Sequence, residues 1–377
     1  MRFLHISDLH LGKRVNEFSM VEDQKYILNQ ITELAKSVNI DAVFIAGDIY
    51  DKNVPAAEAV EVFDRFITGL SDTGIKIYAV SGNHDSAQRV AFGSRIMAHG
   101  GVYFSQVYDG KIEKHVFSDK YGKVNIYMLP FIKPSNVKRF YEDREINDCN
   151  CAVKTALESL CLDKNERNVI IAHQFVAGAI TSDSEEISVG GLDNVDISVF
   201  KDFDYVALGH IHGPQNLGTN ARYCGTPLKY SISEADHKKS ATVVELGPKG
   251  DINIQTIPFK PLRDMREIKG SYEYITGRKN YEGTNTDDYI HITLTDENET
   301  VDAIGKLRSI YPNIMRLDYD NIRTRKNADV IYSSDTVNKG AMELFAEFFN
   351  IQNNMPMTDE QEAEAKRFWE ETEEEFK

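Results

Sequence analysis

The sequence has few cysteines, no long apolar run and a shortage of basic residues. Its four cysteines form no CxxC pair and no regular framework, which excludes a disulfide scaffold and predicts reduced thiols. No segment approaches the roughly 18 uninterrupted apolar residues of a membrane-spanning helix. The first residues pass directly into a strand pattern and leave no apolar core for a signal peptide. We therefore expect a soluble cytoplasmic protein that has no membrane contact.

Basic residues are outnumbered, since 43 Lys and Arg face 59 Asp and Glu and the formal net charge is −16. This charge argues against a nucleic-acid partner, because phosphates are contacted by Lys and Arg. The distribution weakens that argument, since residues 335–377 hold 12 acidic and 4 basic residues and carry −8, half of the total. A DNA-binding surface is expected to be a local basic patch or to belong to a partner.

The first 100 residues alternate strand and helix patterns. Apolar runs at 3–6, 42–46 and 75–80 predict strands, and apolar residues at helical spacing across 21–34 and 60–70 predict the helices between them. This βαβαβ order predicts a parallel sheet with its ligand site at the carboxyl ends of the strands. Later short runs predict a second, more antiparallel sheet packed on the first. Those runs are 124–129, 168–172, 205–208, 221–224 and 242–246.

The length of 377 residues predicts more than one core, and three units are expected. Residues 1–261 are predicted to form the large α/β domain. Residues 262–332 carry the strand and helix patterns of a small α+β capping module. Residues 333–377 predict a helical hairpin with too little core to stand alone, so its aromatic side chains are expected to meet a partner.

Short polar motifs follow the apolar runs, and their residue types are those of a dinuclear metal site. Asp and His two residues apart project to the same side of a strand tip, and a carboxylate can bridge two cations. Two divalent ions held by two carboxylates keep a positive surplus that suits a phosphodiester. Mixed oxygen and nitrogen donors favour Mn²⁺, Fe²⁺ or Zn²⁺ over Mg²⁺ or Ca²⁺. The predicted ligands are Asp8, His10, Asp48, Asn83, His173, His210 and His212.

The motifs DLH, GD, GNHD, AH and GHIH, in this order, resemble those of the calcineurin-like metallophosphoesterases. The resemblance implies a four-layer α/β/β/α sandwich with two metal ions that share Asp48. It also implies that His84, aimed away from the metals by its turn, steadies the transition state and helps to protonate the leaving oxygen. By the same resemblance the first ion takes Asp8, His10, Asp48 and His212, and the second takes Asp48, Asn83, His173 and His210.

Flanking segments are similar to those of a narrower family, the SbcD nucleases of bacterial DNA repair. This similarity implies an Mn²⁺-dependent nuclease that degrades double-stranded ends from 3′ to 5′ and cleaves hairpins and single strands. It also implies a homodimer that works with the ATPase subunit SbcC as a heterotetramer. The segments are FLHISDLHLGKR from Phe3, FIAGDIYD from Phe44, GGLDNVD from Gly190, FDYVALGHIHGPQ from Phe203 and YCGTPLKYSISEADHKKS from Tyr223.

One departure concerns the phosphate contact. Some archaeal relatives carry a histidine just after the GD motif that contacts the phosphate, whereas this chain has Asp51, Lys52 and Asn53. That role is unassigned here, with Lys52 as the candidate substitute.

Basic and aromatic residues outside the motifs suggest contacts with DNA and with a partner. A short basic run is ordinarily a solvated face, but the metal site is expected to open on that side. The predicted DNA contacts are Lys13, Arg14, Lys229, Lys238 and Lys239. The predicted anchors for the ATPase subunit are Phe345, Phe348, Phe349 and Trp369.

Two other functions stay open at this point. One is a phosphoesterase of the same fold that acts on nucleotides or phosphoproteins. The other is a scaffold of the same fold that binds a partner without catalysis.

Overall fold

The structure is a computed structural model that describes residues 1–185, 193–298, 300–322, 324, 341–353 and 356–375. The chain divides into two compact units, Met1–Met265 and Arg266–Lys377. Within the described residues, no helix combines the length and apolar character that a membrane crossing needs.

Strands are numbered in chain order. They are β1 (Arg2–Ile6), β2 (Arg14–Val15), β3 (Phe18–Ser19), β4 (Ala42–Ala46), β5 (Lys76–Val80), β6 (Val102–Phe104), β7 (Glu113–Asp119), β8 (Gly122–Leu129), β9 (Arg167–His173), β10 (Tyr205–Gly209), β11 (Gln215–Leu217), β12 (Ala221–Tyr223), β13 (Ser240–Leu246), β14 (Ile252–Pro258), β15 (Met265–Gly270), β16 (Tyr289–Leu294) and β17 (Ile314–Tyr319).

Helices are numbered in the same way. They are α1 (Val21–Ser37), α2 (Ala57–Ser71), α3 (Ala87–Val90), α4 (Ser94–Met97), α5 (Pro134–Lys138), α6 (Cys149–Glu158), α7 (Tyr272–Thr276), α8 (Arg278–Tyr281), α9 (Ala303–Arg308), α10 (Ala341–Asn353) and α11 (Asp359–Glu375).

The first unit contains two six-stranded mixed sheets. The first sheet has the order β14-β13-β1-β4-β5-β6, in which β1, β4, β5 and β6 are parallel. The predicted βαβαβ pattern is therefore present. Every residue of β4 is buried, as expected for a strand covered on both faces, and α1 buries an apolar stripe that includes Ile27 and Ile31.

The second sheet has the order β11-β12-β10-β9-β8-β7 and corrects one expectation. Its four central strands are parallel, and only the edge strands β7 and β11 are antiparallel. It is therefore no more antiparallel than the first sheet. The reason is that β9 and β10 are buried along their whole length between two covering layers, which is the setting of parallel strands. The predicted strand at 242–246 also belongs to the first sheet, because β13 pairs with β1.

A shared apolar core lies between the two sheets. It contains Phe3 and Phe44 from the first sheet and Ile171 and Tyr205 from the second. His5 lies in this region fully buried, with its ring nitrogens 3.0 Å from Tyr205 Oη and 3.1 Å from the Leu208 carbonyl oxygen. His5 is therefore a hydrogen-bonded core residue and not a candidate ligand. The packed sheets place the carboxyl ends of β1, β4, β5, β9 and β10 in one region.

The second unit contains the three-stranded sheet β15-β16-β17, in which β16 and β17 are parallel. Its core includes Ile290, Leu307 and Ile314. Strand β15 ends at Gly270, where the Ser271 hydroxyl caps α7.

Helices α10 and α11 lie in the segment for which a helical hairpin was predicted, and residues 354 and 355 between them lie outside the described residues. The hairpin itself stays a prediction. On α10, Phe345 and Phe348 are 40% and 57% exposed, and Phe349 is half-buried. The side chain of Trp369 lies outside the described part, so its predicted contact stays a prediction.

Candidate metal centre

The ends of strands from both sheets bring the predicted ligands together. Among the residues that the structure describes, three groups of side chains each place their ligand atoms within 4.8 Å of one another. Most of these side chains are buried, so they form an interior site and not a surface cluster. The groups are Asp8, His10 and His212; His10, Asp48 and His84; and Asp8, Asp48 and His173.

Asn83 and His210 complete one side of this centre. The Asn83 Oδ1 atom lies 3.0 Å from His173 Nε2 and 2.9 Å from His210 Nδ1. His173 Nε2 also lies 3.3 Å from Asp48 Oδ2. On the other side, His10 Nε2 lies 3.8 Å from the same Asp48 Oδ2 atom. Asp48 thus stands between both sides, which is the place of a bridging ligand.

The hydrogen bonds of His173 show that the side chains around it fit a cation. His173 Nδ1 lies 2.8 Å from the Ala46 carbonyl oxygen, so it carries the proton and leaves a lone pair on Nε2. That lone pair faces the oxygens of Asn83 and Asp48. Acceptor atoms that face one another repel unless a proton or a cation lies between them. The residues present therefore fit a metal ion at this point.

His212 shows the same pattern on the other side. Its Nδ1 atom lies 3.1 Å from Glu234 Oε1 and 2.7 Å from Ser184 Oγ, which places the proton on Nδ1. Its Nε2 lone pair then points toward His10 Nε2 at 3.2 Å. Two imidazole nitrogens that converge in this way are arranged to share a cation.

The pKa shifts of the buried side chains also indicate that the site lacks positive charge. Burial lowers the pKa of His10 and lowers that of His210 to about 3, so both are neutral donors. Burial also raises the pKa of Asp8 to about 6. Burial disfavours a charged His173, but the carboxylates of Asp48 and Asp8 outweigh it and raise the pKa of His173 to about 9. A proton on His173 thus supplies part of the positive charge that divalent ions would bring.

The ligand residues have an unusual backbone. A left-handed φ is uncommon outside glycine, although Asp, Asn and His adopt it more readily than other residues. Tight turns at the strand ends require it here, because each side chain must turn back over the sheet edge. Positive φ angles of 53°, 44°, 49° and 107° occur at Asp8, His10, Asp48 and His210.

Glycines before the ligands allow close approach. Gly47 has φ +86°, and a Cβ atom there would lie 2.6 Å from His173 Cγ. At Gly82 a Cβ atom would lie 2.7 Å from Asp48 Cγ. Glycine is needed at both positions so that side chains from neighbouring strands can converge.

Two acidic residues of the site were missed by sequence reasoning. Asp85 accepts hydrogen bonds from the backbone N–H groups of Ile49, Tyr50 and Gly82 at 3.1, 3.0 and 2.9 Å. It therefore ties the GD loop to the GNHD loop. Its place within the GNHD motif was the available signal. The other residue is Glu234, which is fully buried behind His212 in a segment whose acidic residues carried no prediction.

The loop that follows β9 reaches the centre through residues 184 and 185. Ser184 contacts His212, and Glu185 accepts a hydrogen bond of 2.7 Å from the His212 backbone N–H. Residues 186–192, which include the start of the GGLDNVD segment, lie outside the described residues.

His84 differs from the buried ligands. It is half-buried, and its Nδ1 atom lies 3.1 Å from the Asp51 carbonyl oxygen. Its backbone N–H donates to Asp48 Oδ1 at 2.9 Å. The ring lies near enough to His10 and Asp48 to join a ligand group, so its separate catalytic role stays a prediction.

Two of the lysines predicted to contact DNA have ammonium groups that bind partners within the protein. Lys239 is 8% exposed and donates to Glu234 and Thr226 at 2.5 and 2.6 Å. Lys229 contacts Asp264 at 2.8 Å. The other three predicted contacts keep some exposure: Arg14 and Lys238 are exposed, and Lys13 is half-buried.

Comparisons with known proteins agree with this site. Residues 1–214 match the calcineurin-like phosphoesterase family, and residues 261–353 match the type 5 capsule protein repressor C-terminal domain. The chain is 34% identical over 322 residues to the SbcD subunit of the nuclease SbcCD from Staphylococcus epidermidis, and the match covers 84% of this chain and 85% of that protein.

Two solved structures are also similar to the chain, at levels that carry no weight for function. A dimetal phosphatase from Danio rerio aligns with 70% of this chain and 98% of its own at 14% identity, with a TM-score of 0.45. The protein TT1561 of Thermus thermophilus aligns with 68% of this chain and 98% of its own at 12% identity, with a TM-score of 0.37.

The family match covers more than half of the chain, and the relative is similar along most of its length. The buried His and Asp groups form a candidate dimetal site, as such an enzyme needs. The chain therefore belongs to the calcineurin-like phosphoesterase family, as a metal-dependent phosphoesterase homologous to the SbcD nucleases.

Proposed function

We propose that this protein is an Mn²⁺-dependent DNA nuclease that cleaves phosphodiesters by two-metal catalysis. The observation that supports this most directly is the convergence of three ligand groups, two of which contain Asp48. The similarity to a nuclease subunit over 84% of the chain points to DNA as the substrate. We also propose that the two sheets and the helices that cover them form the four-layer α/β/β/α sandwich expected from the sequence.

The proposed division of ligands follows the two sides of the centre. When bound, the two ions would act as Lewis acids on the phosphodiester and activate water. Asp48 would hold both ions, since its carboxylate faces histidines on each side. One ion would also take Asp8, His10 and His212, and the other would also take Asn83, His173 and His210.

His84 would act on the substrate. Because its Nδ1 atom donates to the Asp51 carbonyl oxygen, its Nε2 atom is left to take up a proton and pass it to the leaving oxygen. Partial exposure lets the ring reach a bound phosphodiester. Lys52 is exposed and lies in the same loop, so it remains our candidate for a phosphate contact.

The similarity to a subunit of the nuclease SbcCD and the exposed apolar side chains support a proposal about partners. We expect a partnership with the ATPase SbcC, with Phe345, Phe348, Phe349 and Trp369 as anchors, and a nuclease homodimer within a heterotetramer. Phe92 and Ile96 are 82% and 78% exposed, which makes these two apolar side chains our candidate dimer contacts. The free thiols agree with a cytoplasmic location.

The expected activities are 3′ to 5′ exonuclease action on double-stranded ends and endonuclease action on hairpins and single strands. The test incubates the purified full chain with Mn²⁺ and either a plasmid hairpin or mononucleotides, beside Asp48→Ala and the exposed control Asp72→Ala. We expect hairpin cleavage by the wild type and the control, and none by Asp48→Ala.

Two outcomes would replace this proposal. Good mononucleotide turnover without DNA cleavage would favour a phosphoesterase that acts on nucleotides or phosphoproteins. Equally low metal content in the wild type and Asp48→Ala would favour a non-catalytic scaffold.

A further inference from the structure

His212, on one side of the metal centre, contacts a buried ion pair through the ring nitrogen that faces away from the centre. Glu234 places Oε1 3.1 Å from His212 Nδ1 and Oε2 2.5 Å from Lys239 Nζ. Glu234 has no exposed surface, and Lys239 is 8% exposed. A buried charge is stable only when it is paired, so the lysine keeps the carboxylate in its ionised, hydrogen-bond-accepting form.

The same ion pair also fixes the backbone of the ligand. Lys239 Nζ donates to the His212 carbonyl oxygen at 2.9 Å and to Thr226 Oγ1 at 2.6 Å. Ser184 Oγ lies 2.6 Å from Glu234 Oε1 and 2.7 Å from His212 Nδ1. Ring and backbone of His212 are therefore both anchored, which leaves Nε2 with a fixed direction.

His10 has a looser version of this arrangement. Its Nδ1 atom is buried without a hydrogen-bond partner in the described part of the chain, and the carboxylate oxygen Asp51 Oδ1 lies 3.9 Å away. Asp51 is itself paired with Lys13 at 2.8 Å. Lys13 and Lys239, two of the lysines predicted to contact DNA, thus support carboxylates behind proposed metal ligands.

On the His173 and His210 side of the centre, no separate carboxylate is found behind the histidines in the described part of the chain. His173 Nδ1 donates to the neutral Ala46 carbonyl oxygen, and the carboxylate oxygen that lies 3.9 Å from this atom belongs to Asp8, which is itself a predicted ligand. The contact of His210 Nδ1 with Asn83 Oδ1 joins two predicted ligands, so it does not support the His210 ring from behind. A carboxylate behind an imidazole makes it a stronger electron donor and fixes its tautomer more firmly than a carbonyl does.

We propose that Glu234 is a positioning residue that fixes the tautomer and direction of His212, and that the His10 and His212 side is therefore the tighter of two unequal metal positions. This inference rests on the division of ligands in the proposed function. Glu234 does not touch substrate; it acts through His212.

The test measures metal binding and needs no DNA. Mn²⁺ is titrated calorimetrically into wild type and Glu234→Gln, and bound metal is counted after dialysis. The wild type is expected to show a tight and a weak site. In Glu234→Gln the tight site weakens about 10-fold to 100-fold, while the weak site is unchanged. Glu245→Gln, whose carboxylate is 51% exposed and pairs with Arg2, is the matched control and keeps both affinities.

A second variant guards against misfolding, because Glu234→Gln leaves Lys239 buried without its partner. Glu234→Gln combined with Lys239→Met removes both charges, and it is expected to fold and to show the same loss at the tight site. Nitrogen NMR of the His212 ring adds a readout of its tautomer, which is expected to shift from Nδ1–H in both variants.

An unchanged tight site and an unchanged His212 tautomer in the folded double variant would overturn the inference, as would two equal sites in the wild type. A protein that shows the two unequal sites but cleaves no DNA would refute the nuclease proposal alone.

Discussion

Alanine at Gly47 is expected to damage the metal centre through two separate effects. The first is the backbone, since φ at Gly47 is +86° and an L-residue there costs about 1 to 2 kcal/mol. The second is a collision, since the new Cβ atom would lie 2.6 Å from Cγ and 2.8 Å from Cβ of His173. Those atoms need roughly 3.5 to 4.0 Å, so the ring must move by about 1 Å.

Movement of this size breaks the hydrogen bond from His173 Nδ1 to the Ala46 carbonyl oxygen, now 2.8 Å. A buried polar group left without its partner costs about 1 to 3 kcal/mol, and overpacking adds about 1 to 3 kcal/mol. We expect the collision to destabilise the protein by about 2 to 6 kcal/mol beyond the backbone effect. The ion on the His173 side should also be lost.

Gly250→Ala is the matched control, because Gly250 has φ +85° and no atom lies within 4 Å of its would-be Cβ. Urea unfolding of both variants separates the collision from the backbone effect, and metal analysis after dialysis against Mn²⁺ counts the ions. Equal stabilities of the two variants, with two ions bound to Gly47→Ala, would refute the reasoning.

Three further predictions concern charge, catalysis and assembly. The Arg167 side chain holds the pKa of Asp119 well below its ordinary value. The ion pair of these two residues therefore stabilises the fold at neutral pH, and this stabilisation is lost as pH falls below about 4. Asp119→Asn should cost about 3 kcal/mol at pH 7 in urea unfolding, and the difference from wild type should shrink in acid; a constant difference would contradict this. His84→Gln should keep both ions in metal analysis and lower DNA cleavage by about 100-fold or more, whereas loss of metal would make His84 a ligand. Replacing Phe345 and Phe348 by Glu should abolish co-purification with the ATPase subunit without changing metal content, and retained association would place the contact elsewhere.

Much of the centre was predictable because its ligands follow apolar runs directly. The strand predicted at 42–46 matches β4, and the ligand Asp48 comes two residues later. His173 and Gly209 are the last residues of β9 and β10. In such cases local pattern fixes the end of a strand, and parallel topology then brings the ends together.

The parts that failed depend on contacts distant in sequence or on burial. Nothing in residues 242–246 states that β13 pairs with β1, more than 230 residues earlier. Lys239 looks like a surface lysine, because its burial depends on how its segment folds back over His212. Glu234 was hidden for the same reason. Sequence pattern identified the candidate ligands that the structure brings together, and it missed the groups that hold those side chains in place.

Four candidate ligands have a left-handed backbone, which affects how the stability of this fold can change in evolution. They are Asp8, His10, Asp48 and His210. Each such residue costs about 1 kcal/mol relative to glycine, so the four together withhold roughly 4 kcal/mol of folding free energy. Selection for activity maintains that loss. Once a descendant is released from catalysis, glycine at any of these positions becomes a stabilising substitution. An inactive descendant of this enzyme should therefore melt at a higher temperature than its active ancestor.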